Sequence, residues 1–408
     1  MDSLSKNAKF LLLVAMLTVA GMSVANTFVN VFLIRATDGD IASMLLQTVI
    51  SFLSVLVAFI WASRLLVKVS ITTVLKMGII STALFYVAIL LLQDHVASFV
   101  IPLGIFSGLG MGLFAFATNL LVGEIVGENE QGRYFSYQQT AGFIFGVVTP
   151  AVSGFIITQF TDLTGYYLLF GTALVFFAFA IYMVRHIPGF KSEQQLRFLQ
   201  VLKVKNNRYW KAGKLFAFIT GLRNAVEGQF AMVFAFLIFA DERIMGNVSS
   251  LVAVVSVLSS LWFAKVFMQK KQRGFYLITA IVMLLANVII ALFPYRSVLI
   301  GIWIVFAIVR NWGNTILNSI LLQLCSRAKD GFEMREYQVG LEFPMALGRM
   351  IGLLCALGFV LFMPMEMIAY RFLFVFVGVP WILEFIVIDK QVKWLVDEPV
   401  SEEGETHG

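Results

Sequence analysis

Twelve apolar stretches, each long enough to cross a lipid bilayer as a helix, dominate this 408-residue sequence. They lie near residues 10–34, 41–63, 71–92, 97–122, 139–160, 165–184, 213–240, 247–264, 274–293, 297–322, 339–363 and 367–388. A helix needs about 20 apolar residues to span a membrane. The chain is 60% hydrophobic and 13% charged, which is more apolar surface than a soluble core of this length can bury. The sequence therefore predicts an all-α polytopic membrane protein with twelve transmembrane helices.

The basic residues are distributed unevenly between the two ends of the predicted helices. With the N-terminus inside the cell, 23 of the 30 Lys and Arg residues lie in inner segments, 4 in outer segments and 3 within spans. Cytoplasmic segments of membrane proteins carry such an excess of Lys and Arg. We therefore predict a multi-pass protein of the plasma membrane, surrounded by membrane lipids, with both termini in the cytoplasm.

A basic segment without a long apolar run separates the first six spans from the last six. It divides the chain into an N-terminal six-helix bundle (1–185), a cytoplasmic middle loop (186–212) and a C-terminal six-helix bundle (213–388). The remaining residues, 389–408, form an acidic tail that we expect to be disordered, because such polar tails bury too little apolar surface to fold.

Short matches recur between the two halves at a spacing of 202 residues. The pattern from Phe28 to Phe32 returns from Phe230 to Phe234, and Arg133 before span five returns as Arg335 before span eleven. Two six-span halves of parallel orientation, with a central site between them, are an arrangement of secondary transporters. The repeat therefore predicts two six-helix pseudo-repeats that enclose a transport pathway.

Short motifs in three spans connect the chain with a known family. They are Ala-Asn-Thr-Phe-Val-Asn-Val at residues 25–31, Gly-Leu-Arg at 221–223, Arg-Glu-Tyr at 335–337 and Leu-Gly-Arg at 347–349. In these motifs the chain resembles the major facilitator superfamily, and within it a poorly characterised branch from Gram-positive bacteria. The resemblance extends over nearly the whole chain. It implies the twelve-helix fold of that superfamily, in which spans one, four, seven and ten line a central cavity.

Two further matches to the superfamily are partial. Residues 62–65, Ala-Ser-Arg-Leu, occupy the place of its basic loop motif between spans two and three, without the usual glycine and aspartate. Arg64 is therefore a candidate gating residue. Gly146, Pro150 and Gly154 resemble the glycine-proline motif of antiporters, which favours export. The alternative is a proline kink with small residues that allow close helix packing.

Charged side chains within spans are rare and usually face a cavity, a partner or a transport pathway. Arg223 lies about 15 Å into span seven, and Glu227 follows one turn later on the same face. Arg310 lies at a similar depth in span ten. We predict that Glu227 accepts a proton, and that both arginines tune its proton affinity or contact an anionic group of the substrate. The alternative is that Arg223 and Glu227 neutralise each other and only hold helices together.

The other polar residues of the predicted site also lie on cavity-lining spans: Asn314 in span ten, and Asn26 with Asn30 in span one. Further candidate coupling or gating residues are Glu342 and Arg349 in span eleven, and Asn119 with Glu124 in span four. A structural bridge is the alternative for these. Two buried arginines with one nearby carboxylate leave an unbalanced positive charge, which another acidic group or the substrate must neutralise. Because the nearest acidic candidate, Glu342, lies close to the cytoplasmic end of its span, we favour a substrate with an anionic or strongly polar acceptor group.

The leading hypothesis is a secondary transporter that moves a small organic or amphipathic solute by alternating access, coupled to protons. A transport-incompetent receptor or scaffold with the same fold is one alternative. A membrane transferase is another, disfavoured because His95, His186 and His407 fall in loops and the tail rather than in a cluster. The sequence contains no GxxxxGK[ST] motif. We expect no enzymatic activity, no cofactor, no metal and no nucleic-acid partner, and we expect a monomer.

Cysteine labelling tests the predicted topology. In a chain carrying Cys325→Ala and Cys355→Ala, Gln200→Cys should react with a membrane-impermeant maleimide only in inside-out vesicles, because the middle loop is predicted to be cytoplasmic. Tyr295→Cys, in a predicted outer loop, is the control and should react in intact cells. Labelling of position 200 from outside intact cells would exclude this topology.

Overall fold

The computed structural model describes residues 4–36, 41–126, 128–160, 162–191, 197–239, 241–266, 272–328, 331–332, 334–362 and 367–392. Within these ranges, twelve helices have 21 or more residues. They are α1 (Lys6–Ala36), α2 (Ile41–Leu65), α3 (Ile71–Leu92), α4 (Val100–Ile125), α5 (Glu128–Ile157), α6 (Thr164–Val184), α7 (Arg208–Phe239), α8 (Glu242–Val266), α9 (Gln272–Leu292), α10 (Arg296–Arg327), α11 (Met334–Phe362) and α12 (Met367–Val387).

Each long helix coincides with one predicted span, so the all-α, twelve-helix fold class is confirmed. Over the part of the chain that the structure describes, ten helices contain a segment long and apolar enough to cross a membrane, and no strand is present. A 3-10 helix (Gln93–Phe99), a short α-helix (Phe198–Leu202) and a π-helical turn (Ile388–Val392) complete the secondary structure. Most of the predicted tail, residues 393–408, lies outside the described residues.

The order of helix packing repeats between the two halves. Helix α2 packs on α4 as α8 packs on α10, and α3 packs on α6 as α9 packs on α12. The two bundles meet where α5 packs on α8 and α2 packs on α11. The recurring pairs agree with the predicted pseudo-repeats. The exact bundle limits, 1–185 and 213–388, stay a prediction, although α6 ends at Val184 and α7 begins at Arg208.

Part of the middle loop is packed against the C-terminal bundle. The indole nitrogen of Trp210, at the start of α7, donates to the carbonyl of Val201 at 2.8 Å. The ammonium of Lys214 donates to the carbonyls of Leu202 and Val204 at 3.3 and 3.2 Å. These bonds tie the end of the short Phe198–Leu202 helix, and the residues that follow it, to the start of α7.

A buried carboxylate joins the two bundles at one end of the molecule. We call this end, where α1 ends and α2 begins, the predicted outer end. There Glu242, the first residue of α8, is only 4% exposed and forms an ion pair with Arg35 at the end of α1. The hydroxyl of Tyr166 in α6 donates to the same carboxylate at 2.8 Å. We refer to Arg35, Tyr166 and Glu242 as the outer cluster.

Glycines allow two pairs of helices to approach closely. A Cβ atom on Gly154 of α5 would lie 2.6 Å from the carbonyl oxygen of Glu242 in α8. A Cβ atom on Gly348 of α11 would lie 2.0 Å from the carbonyl oxygen of Phe218 in α7. Small residues at helix crossings let membrane helices pack backbone to backbone. Around Gly154, the glycine-proline motif therefore serves close helix packing.

Replacing Gly348 should weaken the contact between α7 and α11. The Gly348→Ala variant should be less stable by about 1–3 kcal/mol, because a methyl group cannot fit without moving a backbone. The matched control is Gly358→Ala in the same helix, where an added Cβ atom meets nothing within 4 Å. Apparent melting temperatures in detergent compare the two variants. Equal melting temperatures would contradict the close crossing.

Candidate functional site

A cluster of four charged side chains lies inside the C-terminal bundle. Arg223 and Glu227 come from α7, Arg310 comes from α10, and Glu384 comes from α12. We call these four residues the buried charge cluster. With two guanidinium groups and two carboxylates, the cluster can be electrically neutral, which is the condition for burying charge without a large cost in free energy.

Arg223 is enclosed on several sides and only 1% exposed. Its Nε atom lies 3.4 Å from Oε1 of Glu384, and its Nη1 atom lies 4.0 Å from Oε2 of Glu227. Nη2 donates to Oδ1 of Asn314 at 3.0 Å. The guanidinium carbon lies 3.7 Å from the ring centroid of Trp381, a geometry that adds a cation–π attraction.

The direction of these contacts follows from helix geometry. Side chains in an α-helix lean toward the helix N-terminus, so Arg223 reaches from the middle of α7 back toward the start of that helix. The last turns of α12 lie at this level, because they carry Trp381 and Glu384, which both contact Arg223. The long Arg223 side chain therefore reaches partners that lie closer than its own Cα atom to the end of the bundle where α7 begins.

Glu384 is a site residue that sequence reasoning missed. It is fully buried and accepts a hydrogen bond from the Thr220 hydroxyl at 2.8 Å and another from the Tyr276 hydroxyl. It is the one acidic residue of the 21-residue helix α12. The signal available in the sequence was an acidic residue within the predicted span 367–388.

Glu384 also corrects the expected charge balance. The sequence predicted two buried arginines with one carboxylate and hence an unbalanced positive charge. That expectation is wrong, because Glu384 supplies the second negative charge next to Arg223. An unbalanced charge in the resting protein can therefore no longer serve as an argument for an anionic substrate.

Exposure increases in steps along the buried charge cluster. The side chains of Arg223 and Glu384 are buried, Glu227 is 7% exposed, and Arg310 is 46% exposed. Nη1 of Arg310 lies 3.5 Å from Oε1 of Glu227. Arg310 is thus the accessible end of the cluster, and Glu227 is the group that links it to the interior.

The structure also pairs Arg349 with Glu342, whose Nη1 and Oε2 atoms lie 3.7 Å apart within α11. The Arg349 guanidinium contacts the sulfur of Met345 at 3.0 Å and lies 5.3 Å from the Phe52 ring centroid. Because Phe52 belongs to α2, Arg349 forms a contact between the two bundles. This pair is separate from the buried charge cluster.

The remaining predicted residues are more dispersed. Asn30 is half-buried in α1, and the side chain of Asn26 lies outside the described residues. Asn119 and Glu124 of α4 and Arg64 at the end of α2 are exposed. Over the described ranges, no contact joins Asn119 or Arg64 to the buried charge cluster. Nor do His, Cys, Asp and Glu side chains in those ranges form a group of three or more that could hold a metal ion.

Twelve membrane helices in two pseudo-repeats, with a buried ionic cluster inside one of them, define a multi-pass protein of the transporter type. A family model described as Major Facilitator Superfamily matches residues 11–335, and the chain belongs to that superfamily. The family resemblance seen in the sequence motifs is thereby confirmed.

Two curated relatives come from Gram-positive bacteria. The chain is 25% identical over 359 residues to "Uncharacterized protein YqgE" of Bacillus subtilis (strain 168), covering 86% of this chain and 82% of that protein. It is 30% identical over 176 residues to "Uncharacterized protein in sodM 3'region" of Geobacillus stearothermophilus, covering 41% of this chain and 78% of that protein.

Solved structures of transporters share the fold. A bacterial homologue of the iron transporter ferroportin in the inward-facing state matches with a TM-score of 0.72 and 13% identity, over 95% of this chain and 98% of that one. The nucleoside transporter NupG matches with a TM-score of 0.70 and 12% identity, over 95% and 100%. The D-xylose–proton symporter matches with a TM-score of 0.69 and 14% identity, over 94% and 97%. At these identities the likeness establishes the fold alone.

Proposed function

We propose that this protein is a proton-coupled secondary transporter that moves a small organic or amphipathic solute by alternating access. Its family and fold support the transporter class. The observation that carries the finer proposal is the ion pair of Glu227 with Arg310, in which a buried carboxylate meets an accessible guanidinium 3.5 Å away. We assign proton binding to Glu227 and solute contact to Arg310.

Charge balance links proton binding by Glu227 to solute binding by Arg310. A proton on Glu227 removes one of the two negative charges and leaves the cluster with one unpaired positive charge. An unpaired charge inside a membrane protein costs several kcal/mol, by order of magnitude. An anionic or strongly polar group of the solute, bound to the freed Arg310, would offset that cost. Each event therefore favours the other, as reciprocal linkage requires.

Two further observations bear on the direction of transport and on the location of the protein. Linked binding of proton and solute is the coupling of a symporter, which an inward proton gradient drives toward uptake. The spacing of Gly146, Pro150 and Gly154 is the one observation that favours export instead, and Gly154 also serves close packing against α8. The distribution of Lys and Arg supports a plasma-membrane protein with both termini in the cytoplasm. We propose a monomer as the working unit.

A receptor or scaffold with this fold is the second candidate. It is favoured by the basic loop motif around Arg64, in which the glycine and the aspartate of the superfamily motif are missing. Solute flux distinguishes the two candidates, because a receptor binds its ligand without moving it. A thermal-shift screen of small metabolites against the purified protein identifies a ligand, and flux into proteoliposomes follows with and without a pH gradient.

The Glu227→Gln variant should lose solute accumulation driven by a pH gradient but keep solute exchange, because the amide retains the shape of the side chain and loses the titratable group. Flux of the identified solute into proteoliposomes measures both activities. Asp162→Asn, in the exposed loop between α5 and α6, is the matched control and should transport normally. Accumulation against the gradient by Glu227→Gln would remove Glu227 from the coupling site.

The Arg310→Lys variant should bind the solute about tenfold more weakly or worse, because lysine keeps the charge but lacks the planar donor fork. Affinity and melting temperature are measured on the same preparation. Arg296→Lys, at the exposed start of the same helix, is the control and should change neither. A lower melting temperature with normal affinity would instead mean that Arg310 only ties helices together.

A further inference from the structure

The buried charge cluster contains one carboxylate that the proposed function does not use, Glu384. We propose that Glu384 is a positioning residue: together with Thr220 and Tyr276 it holds the guanidinium of Arg223 in place, and through Arg223 it sets how readily Glu227 binds a proton. This inference rests on the proposed function, in which Glu227 is the group that exchanges protons.

The orientation of the Glu384 carboxylate is defined by contacts from two other helices. Thr220 of α7 donates its hydroxyl hydrogen to Oε1, and Tyr276 of α9 donates its hydroxyl hydrogen to Oε2. Both donors are themselves buried. Because each carboxylate oxygen accepts one hydrogen bond, the buried carboxylate cannot rotate without breaking one of them.

The fixed carboxylate in turn fixes Arg223. Its guanidinium is held between Oε1 of Glu384, Oδ1 of Asn314 and the face of the Trp381 ring. Arg310 differs, because nearly half of its side chain is exposed. The cluster therefore contains one enclosed and one accessible guanidinium, and Glu227 lies between them.

The Arg223–Glu384 ion pair contributes to the electrostatic environment of Glu227. Arg223 faces Glu227 from the same helix, Arg310 faces it from α10, and Glu384 of α12 offsets the charge of Arg223 from the far side. If the negative charge of Glu384 is removed, the two arginines act on Glu227 without that offset. An excess of nearby positive charge disfavours the protonated form of a carboxyl group. Glu227 should then require a lower pH to bind its proton.

Infrared difference spectroscopy of the purified full-length protein during a pH titration measures this effect without a solute. The carboxyl band of Glu227 is identified as the band that Glu227→Gln abolishes. In Glu384→Gln the midpoint of that band should move to lower pH by about one unit or more. Glu384→Asp keeps the charge and should return the midpoint toward that of the unmodified protein.

The outer cluster provides a matched control. Glu242 is also a buried carboxylate with one arginine and one tyrosine as partners, but it lies between the bundles at the predicted outer end. Glu242→Gln therefore also removes a buried carboxylate that is paired with an arginine, and it should leave the Glu227 midpoint unchanged. A shift of the same size in Glu242→Gln, or an unchanged midpoint in Glu384→Gln, would overturn the proposal.

Fluorescence of Trp381 tests the positioning of Arg223 directly. The Trp381 contribution is obtained as the difference in emission between the unmodified protein and Trp381→Phe. It should change in Glu384→Gln, because Arg223 leaves the ring face, and return in Glu384→Asp. Unchanged Trp381 emission in Glu384→Gln would show that Arg223 keeps its place without Glu384 and would overturn the positioning role.

The two measurements separate failure of the inference from failure of the proposed function. If the unmodified protein shows no titrating Glu227 band, proton coupling through Glu227 is wrong, and Trp381 emission still decides whether Glu384 positions Arg223. If Glu384→Gln does not fold, Tyr276→Phe takes its place. That variant removes one of the two hydroxyl donors and should change Trp381 emission, and an unchanged emission would again overturn the positioning role.

Discussion

The need to neutralise Arg223 inside an apolar bundle organises the C-terminal half of this protein. Removing one partner of a buried ion pair typically destabilises a protein by about 3–5 kcal/mol, because the other charge is left without compensation. Arg223 meets this constraint with Glu384, Glu227, Asn314 and the face of Trp381. These partners belong to α7, α10 and α12, so one guanidinium group ties three helices together.

A second buried carboxylate with an arginine partner lies in the outer cluster, where it joins the two bundles instead of lying within one of them. The buried charge cluster lies entirely within the C-terminal bundle, whereas Arg35 and Tyr166 of the N-terminal bundle meet Glu242 of the other bundle. In a transporter whose two bundles rock against each other, contacts within a bundle persist and contacts between bundles break. Under the proposed mechanism, the buried charge cluster would keep its geometry, whereas the outer cluster and the contact of Arg349 with Phe52 would break and re-form.

The family explains the architecture but leaves the solute open. Proteins of similar fold include a homologue of an iron transporter, a nucleoside transporter and a xylose–proton symporter. One fold thus carries chemically unrelated solutes, and function depends on the side chains placed within it. In this chain those side chains form a charge-balanced set of four, of which only Arg310 is substantially exposed.

Much of the fold follows from the sequence, because the thickness of the bilayer sets the length of each apolar run and all twelve predicted spans are helices in the structure. The i, i+4 spacing likewise brought Arg223 and Glu227 together. Glu384 could not be assigned in this way, since its partners Thr220 and Tyr276 lie 164 and 108 residues away in the chain. Arg223 and Arg310 looked alike in sequence, yet packing buries one and exposes the other. Apolar length is a local property, whereas charge compensation depends on contacts between distant helices, and only the tertiary structure decides those.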